Sequence, residues 1–307
     1  MLINKEEGIS TTIFRSQGEK GRMAKIYFAY YCTQYSYIVK HLFHIENGAN
    51  DNGQQVLSLR LGGKHASFAI TNKPGTELCR LAYCSTEELD ENELSEFVET
   101  YPCLLNNFYE ILVSYDFPQS IFVPFNEYKL EDAGLLLQAS GATSGNQNII
   151  SELVTGWQLY NVYAVPREIL EWIGKKFPTA KCRHQYSLHI KNVNTVNTDS
   201  NLTVDFRKEF FTVVVTRNSK LLLAQTFEYT SPEDVLYFLL NICKQFSLSQ
   251  REVKLQISGL VDKQSSLYKE LYLYFINLEF REANWEAKSE YPAHFFTSLN
   301  DLAKCAS

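Results

Sequence analysis

Residues 56–71 read VLSLRLGGKHASFAIT, and their pattern decides the fold. Leu57, Leu59 and Leu61 alternate with Ser58 and Arg60, the two-residue period of a half-buried strand. Gly62-Gly63 supplies residues free to adopt positive φ in a tight hairpin turn, and Ser67 to Thr71 returns as a second strand. Leu78 to Ser85 reads as a third. The meander comes back in the second half of the chain, with strands expected at Leu202–Phe206, Phe210–Thr216 and Leu221–Glu228.

Helical spacing follows each meander. In the first half, an acidic start at Glu87 to Glu93 opens a helix through Leu94, Phe97 and Val98. It is interrupted at Pro102 and resumes through Leu104, Leu105, Phe108, Ile111 and Leu112. Ser120 to Pro124 then reads as the fourth strand, Glu127 to Gln138 as a helix, and the polar stretch Ala139 to Gly156 as a loop. Leu159 to Val165 forms a strand, and Pro166 suits the first turn of a helix from Arg167 to Lys176. In the second half, a helix near Arg183 to Val193 precedes the meander, and Thr230 or Ser231 caps a helix with Pro232 in its first turn. Val253 to Ser258 is a strand, Ser265 to Tyr274 a helix, Asn277 to Arg281 extended, and Ala293 to Lys304 a closing helix. The expected fold is thus α/β, two β-β-β-α-β-α-β-α units whose alternation demands sheets covered by helices. Residues 1–54 read as a partly flexible extension, 55–180 as the first half and 181–307 as the second, with a ligand-sized cleft between the halves. Within the extension, the Tyr-rich stretch from Ile26 to Tyr37 is a helix or docking segment, and Met23 is an alternative start.

Composition narrows the functional classes. The chain of 307 residues is 45% hydrophobic and 14% aromatic, enough to build sizeable cores and to exclude wholesale disorder. A net charge of -6 argues against broad nucleic-acid or anionic-lipid binding. Seven scattered cysteines fit reduced thiols of a cytoplasmic protein, and no apolar run is long enough to span a membrane. Cys182, His184 and His189 do not suit a metal, because the two histidines, five apart, lie on different helical faces. No nucleophile elbow or phosphate-binding loop signature is present, so no catalytic residue is expected.

The segment LLLAQTFEYTSPEDVLYF at 221–238 resembles a bacterial family of uncharacterised proteins, a domain of unknown function, with an actin-like ATPase (ribonuclease H-like) fold. So do Trp157-x-x-Tyr160-Asn-Val-Tyr-Ala-Val-Pro166 and the ending from His294 through Leu299 to Cys305. The resemblance covers roughly residues 55 to 306. It implies ATP and Mg²⁺ held between the halves, by an acidic residue before a glycine turn in the first hairpin and Asp-x-Gly in the second. Here the first hairpin reads Leu59-Arg60-Leu61-Gly62-Gly63-Lys64, without the carboxylate, and the second Asp205-Phe206-Arg207-Lys208-Glu209, without the glycine. The adenosine-side strand keeps one glycine, Gly259. If nucleotide binds, Gly62, Gly63, Lys64, Asp205, Lys208 and Gly259 are the residues to hold it; Arg207 is a further anion ligand. With all three signatures damaged, ATP/Mg is disfavoured. The expectation is a non-catalytic actin-like scaffold or partner-binding protein with a degenerate nucleotide cleft, acting on a protein partner or its own copies. The alternative is a divergent ATP-binding or slow ATP-hydrolysing switch.

Overall fold

The computed structural model describes residues 40–48, 54–139, 141, 145–192 and 200–306. Expectations for Met23 and for Ile26 to Tyr37 therefore lie outside the described residues. Strand β1 spans Lys40–Glu46, β2 Gln55–Gly62, β3 His65–Asn72 and β4 Leu78–Ser85. The β2–β3 hairpin closes on Gly62 opposite His65, leaving Gly63 and Lys64 as the turn. Neither glycine has positive φ, contrary to the expectation for this turn. Gly62 is required for space instead: a Cβ there would lie 2.3 Å from the His65 ring and 2.9 Å from the Asp116 carbonyl oxygen. Positive-φ residues sit instead in a hairpin of the other sheet, at Asn218 and Ser219, between Phe210–Arg217 and Lys220–Glu228.

Helix α1, Glu91–Thr100, starts on a capping box in which Asp90 and Glu93 satisfy each other's backbone N–H groups. A 3₁₀ turn after Pro102 ends it, and β5 follows at Glu110–Asp116, parallel to β2. The helix expected to resume through Phe108, Ile111 and Leu112 is thus a strand. A strand buried on both faces reads as a continuous apolar run, which periodicity alone does not separate from a buried helix. Strand β6, Ser120–Pro124, is not the fourth strand of this sheet. It pairs with β8, Leu159–Pro166, which also pairs with β7, Gln147–Val154, in a separate three-stranded sheet. Helix α2, Ala133–Ala139, packs on that small sheet. The stretch read as a loop from Ala139 to Gly156 therefore contains a strand. Its polar residues suit a half-exposed sheet edge.

Helix α3, Arg167–Lys176, leads to β9, Lys181–His184, which pairs parallel to β5. Where one helix was expected from Arg183, the chain completes this strand and turns at His184, whose ring accepts from Tyr186 N–H, into α4, Gln185–Lys191. The first sheet has the order β1-β4-β3-β2-β5-β9. It reaches beyond residues 55–180 on both sides: β1 lies in the stretch read as an extension, and β9 in the stretch assigned to the second half.

The second sheet contains β10 Asn201–Phe206, β11 Phe210–Arg217, β12 Lys220–Glu228, β13 Lys254–Gly259 and β14 Asn277–Phe280. Its order is β12-β11-β10-β13-β14, two antiparallel pairings followed by two parallel ones. The strands β4-β3-β2-β5-β9 have the same order and the same directions. Helix α5, Pro232–Gln245, starts on a Ser231–Asp234 capping box, and α6 spans Ser266–Tyr274. Both cover one face of the second sheet over a core of Val204, Phe211, Leu239 and Leu255. Helix α7, Thr297–Ala303, is buried along its whole length, as is α4 from Gln185 to Ile190. These two helices touch each other and both sheets, so each half ends on a helix wedged between the halves.

Candidate functional site

Strands β2 and β10 are interior in their sheets, and their ends carry the two hairpin turns that face each other. Arg60 stands two residues before Gly62 on β2, and Asp205 two residues before Arg207 on β10. These matched positions carry opposite charges and meet: Arg60 Nη2 donates to Asp205 Oδ2 at 2.6 Å. Arg60 Nε also donates to Asp116 Oδ2, at the end of β5, at 3.0 Å. Arg207 Nη1 approaches the same oxygen at 3.2 Å, while its Nη2 donates to Thr212 at 2.8 Å. Ser258 completes the set by donating to Asp205 Oδ1 at 2.9 Å. Two guanidinium groups and two carboxylates thus form a neutral cluster in which all four residues are buried.

The electrostatics follow from burial and mutual attraction. Burial alone would weaken ionisation of Asp116, Asp205 and Arg60. Arg207 and Arg60 outweigh it at Asp116 and hold that carboxyl well below its ordinary range. Arg60, His189 and Arg207 do the same for Asp205, and Asp116 and Asp205 raise the Arg60 pKa. Opposite charges in a poorly solvated space reinforce each other's ionised forms. His65 stacks on Tyr83 and places Nε2 3.3 Å from Asp116, but burial lowers its pKa and favours the neutral ring. His184 and His189 are also driven neutral by burial, to about 4 and about 3. His184 Nε2 donates to the Phe117 carbonyl, whereas neither nitrogen of His189 has a hydrogen-bond partner among the described residues.

Beside this cluster opens a cavity of about 570 Å³. The first hairpin contributes Gly63, Lys64 and His65 to its wall, and Arg207, Phe210 and Thr226 come from the second sheet. Of the residues expected to hold nucleotide, Gly63 and Lys64 line it. Lys64 Nζ is engaged by Glu209 Oε2 at 2.8 Å, a bridge from one hairpin turn to the other. Lys208 is exposed in its turn, 3.4 Å from Glu209 Oε1. Asp205 and Gly62 lie in the buried layer behind the cavity. Gly259 ends β13 with φ +81°, where a Cβ would stand 2.1 Å from the Phe206 carbonyl oxygen; its role is close approach of two strand ends. Asp116 escaped sequence reading. It closes the apolar run Glu110–Asp116, and recognising that run as a strand would have placed it at the cleft.

The carboxylates next to the turns are thus occupied by guanidinium groups, and the arrangement does not fit a magnesium–triphosphate group, which needs carboxylate oxygens free to hold the hydrated ion. Among the described residues, no group of three or more His, Cys, Asp or Glu side chains is placed to hold a metal ion. Nor is any described helix long and apolar enough to cross a membrane.

Comparison with solved structures defines the class. The chain is similar to a Bacteroides thetaiotaomicron protein with an actin-like ATPase fold and unknown function, at TM-score 0.68 and 18% identity, covering 84% of this chain and all (100%) of that one. It is also similar to a structure of the PilM–PilN type IV pilus biogenesis complex, at TM-score 0.55 and 12% identity, covering 81% of this chain and 97% of that one. The protein has the actin-like ATPase fold. Residues 46–278 match the model of the DUF3822 family of proteins of unknown function, and the chain belongs to that family. No curated protein matches it.

Proposed function

We propose that the protein is a non-catalytic, partner-binding member of the actin-like class, acting in the cytoplasm, whose cleft has left nucleotide chemistry. One observation carries this reading. At the two matched hairpin positions, where the fold's ATPases are expected to present carboxylates to a hydrated metal ion, Arg60 and Asp205 form a direct ion pair. An arginine in place of one carboxylate supplies the positive charge that the metal would bring, so the halves are joined without metal or phosphate. Arg207 occupies the glycine position of Asp-x-Gly, and its side chain fills space that a phosphate-cradling turn leaves open. The PilM–PilN complex supports the partner-binding part of the reading, because there a protein of similar fold is seen in a complex. The same scaffold can serve self-association.

The alternative, a nucleotide switch, draws on the cavity beside Gly63 and Lys64. A thermal-shift titration separates the two, since a ligand that binds only the folded state stabilises it by RT ln(1 + [L]/Kd). Millimolar Mg-ATP is expected to leave the melting temperature unchanged. A rise that Gly63→Val abolishes would overturn the proposal. A Cβ at Gly63 meets no described atom within 4 Å, so the substitution adds its bulk to open space at the cavity wall.

A further inference from the structure

We propose that the cleft cavity receives a cation, an ammonium or guanidinium group carried on an apolar stem. The inference rests on the reading of a cleft emptied of nucleotide chemistry and names what took its place. The cavity, at about 570 Å³, falls within the usual range of ligand sites. Its lining holds four carboxylates, Glu87, Glu88, Asp116 and Glu168, against two cations, Lys64 and Arg207. Both cations are engaged, Lys64 by Glu209 at 2.8 Å and Arg207 by Asp116 at 3.2 Å. His65, the remaining titratable group of the lining, is held neutral by burial. Glu87, Glu88 and Glu168 are exposed, and none of them forms an ion pair among the described residues.

The charge available to a newcomer is therefore negative. With four carboxylates against two cations the lining is net negative, so a phosphate chain entering here would be repelled, while a cation would meet three carboxylates that hold no ion pair among the described residues. Leu89, Phe117 and Phe210 give the cavity apolar surface, against which an alkyl stem can pack behind a charged head. The side-chain amides of Gln119, Asn146 and Gln147 add neutral acceptors that can take further N–H donors. A lysine or arginine of a protein segment carries this chemistry, and so does a free aliphatic polyamine.

The test titrates the full chain by calorimetry with two probes, spermidine and a short lysine–alanine peptide, with a glutamate–alanine peptide as control. Saturable binding of at least one cationic probe is expected, with no binding of the acidic peptide. Affinity is expected to fall roughly tenfold or more when salt is raised from about 50 mM to about 500 mM. The same loss is expected in Glu87→Gln/Glu88→Gln/Glu168→Gln, whose substituted side chains are exposed and whose unchanged melting temperature reports an intact fold. Tighter binding of the peptide assigns the cation to a partner segment; tighter binding of spermidine assigns it to a small amine. Silence of both cationic probes, or equal affinity in the triple variant, overturns the inference. Mg-ATP run alongside keeps the two readings apart. Its binding, lost in Gly63→Val, would overturn the emptied cleft itself, whereas failure of the cations with Mg-ATP also silent overturns the cation site alone.

Discussion

The Arg60 guanidinium joins Asp116 and Asp205 inside the protein, with Arg207 beside it. Removing one partner of a buried charge cluster leaves the others unpaired, so Arg60→Met is expected to destabilise the fold by about 3–5 kcal/mol in urea unfolding. Arg60→Met combined with Asp205→Leu is expected to recover most of that loss, since apolar replacement of a whole buried pair is often neutral. The Lys64–Glu209 bridge spans the same cleft but stands in solvent, with both side chains more than a third exposed. Lys64→Ala is therefore expected to cost no more than about 1 kcal/mol. The buried histidines set the acid limb. A histidine whose folded pKa lies below its unfolded value binds fewer protons when folded, so stability is full above about pH 6.5 and drains as pH falls. His184 and His189, held near 4 and 3, both act in that direction. Melting temperature is expected to fall between about pH 6.5 and 4, before the paired carboxylates titrate. Because neither ring nitrogen of His189 is hydrogen-bonded among the described residues, His189→Leu is expected to make that fall shallower.

At the scale of elements, local chemistry governs the helix starts and one strand end. Ser231 accepts from the Asp234 N–H while the Asp234 carboxylate accepts from the Ser231 N–H, with Pro232 in the first turn of α5. Ser231→Ala is expected to cost about 1 kcal/mol by urea unfolding. Gly259 is far less tolerant: at φ +81°, with the Phe206 carbonyl oxygen where its Cβ would be, Gly259→Ala forces the β10 and β13 ends apart. Its loss of stability is expected to exceed that of Ser231→Ala in the same assay. Strand β5 illustrates the opposite situation. Its residues EILVSYD bury both faces, so neither a two-residue nor a 3.6-residue period survives, and only pairing with β2 and β9 makes them a strand. With β5 in place, β2 and β5 start 55 residues apart and β10 and β13 start 53 apart, a closer match between the halves than Ser120–Pro124 gave as fourth strand.

Across the whole molecule, α4 and α7 lie between the sheets and the charge cluster ties the hairpins, so the cleft is built from parts distant in the chain. The sequence by itself determined the two meanders, the capped helices, the family resemblance and the broken phosphate signatures, because each depends on neighbours a few residues apart. Arg60 was visible as the residue standing where a carboxylate was expected, and Arg207 as the one replacing a glycine. What they do was not visible: Arg60 lies 56 residues from Asp116 and 145 from Asp205. Only the tertiary structure brought these charges within hydrogen-bonding distance, engaged Lys64 with Glu209, and placed Glu87, Glu88 and Glu168 on the cavity wall without an ion pair among the described residues. Ion pairing and desolvation depend on distance through space and on exclusion of water, and neither quantity is written in the local order of residues.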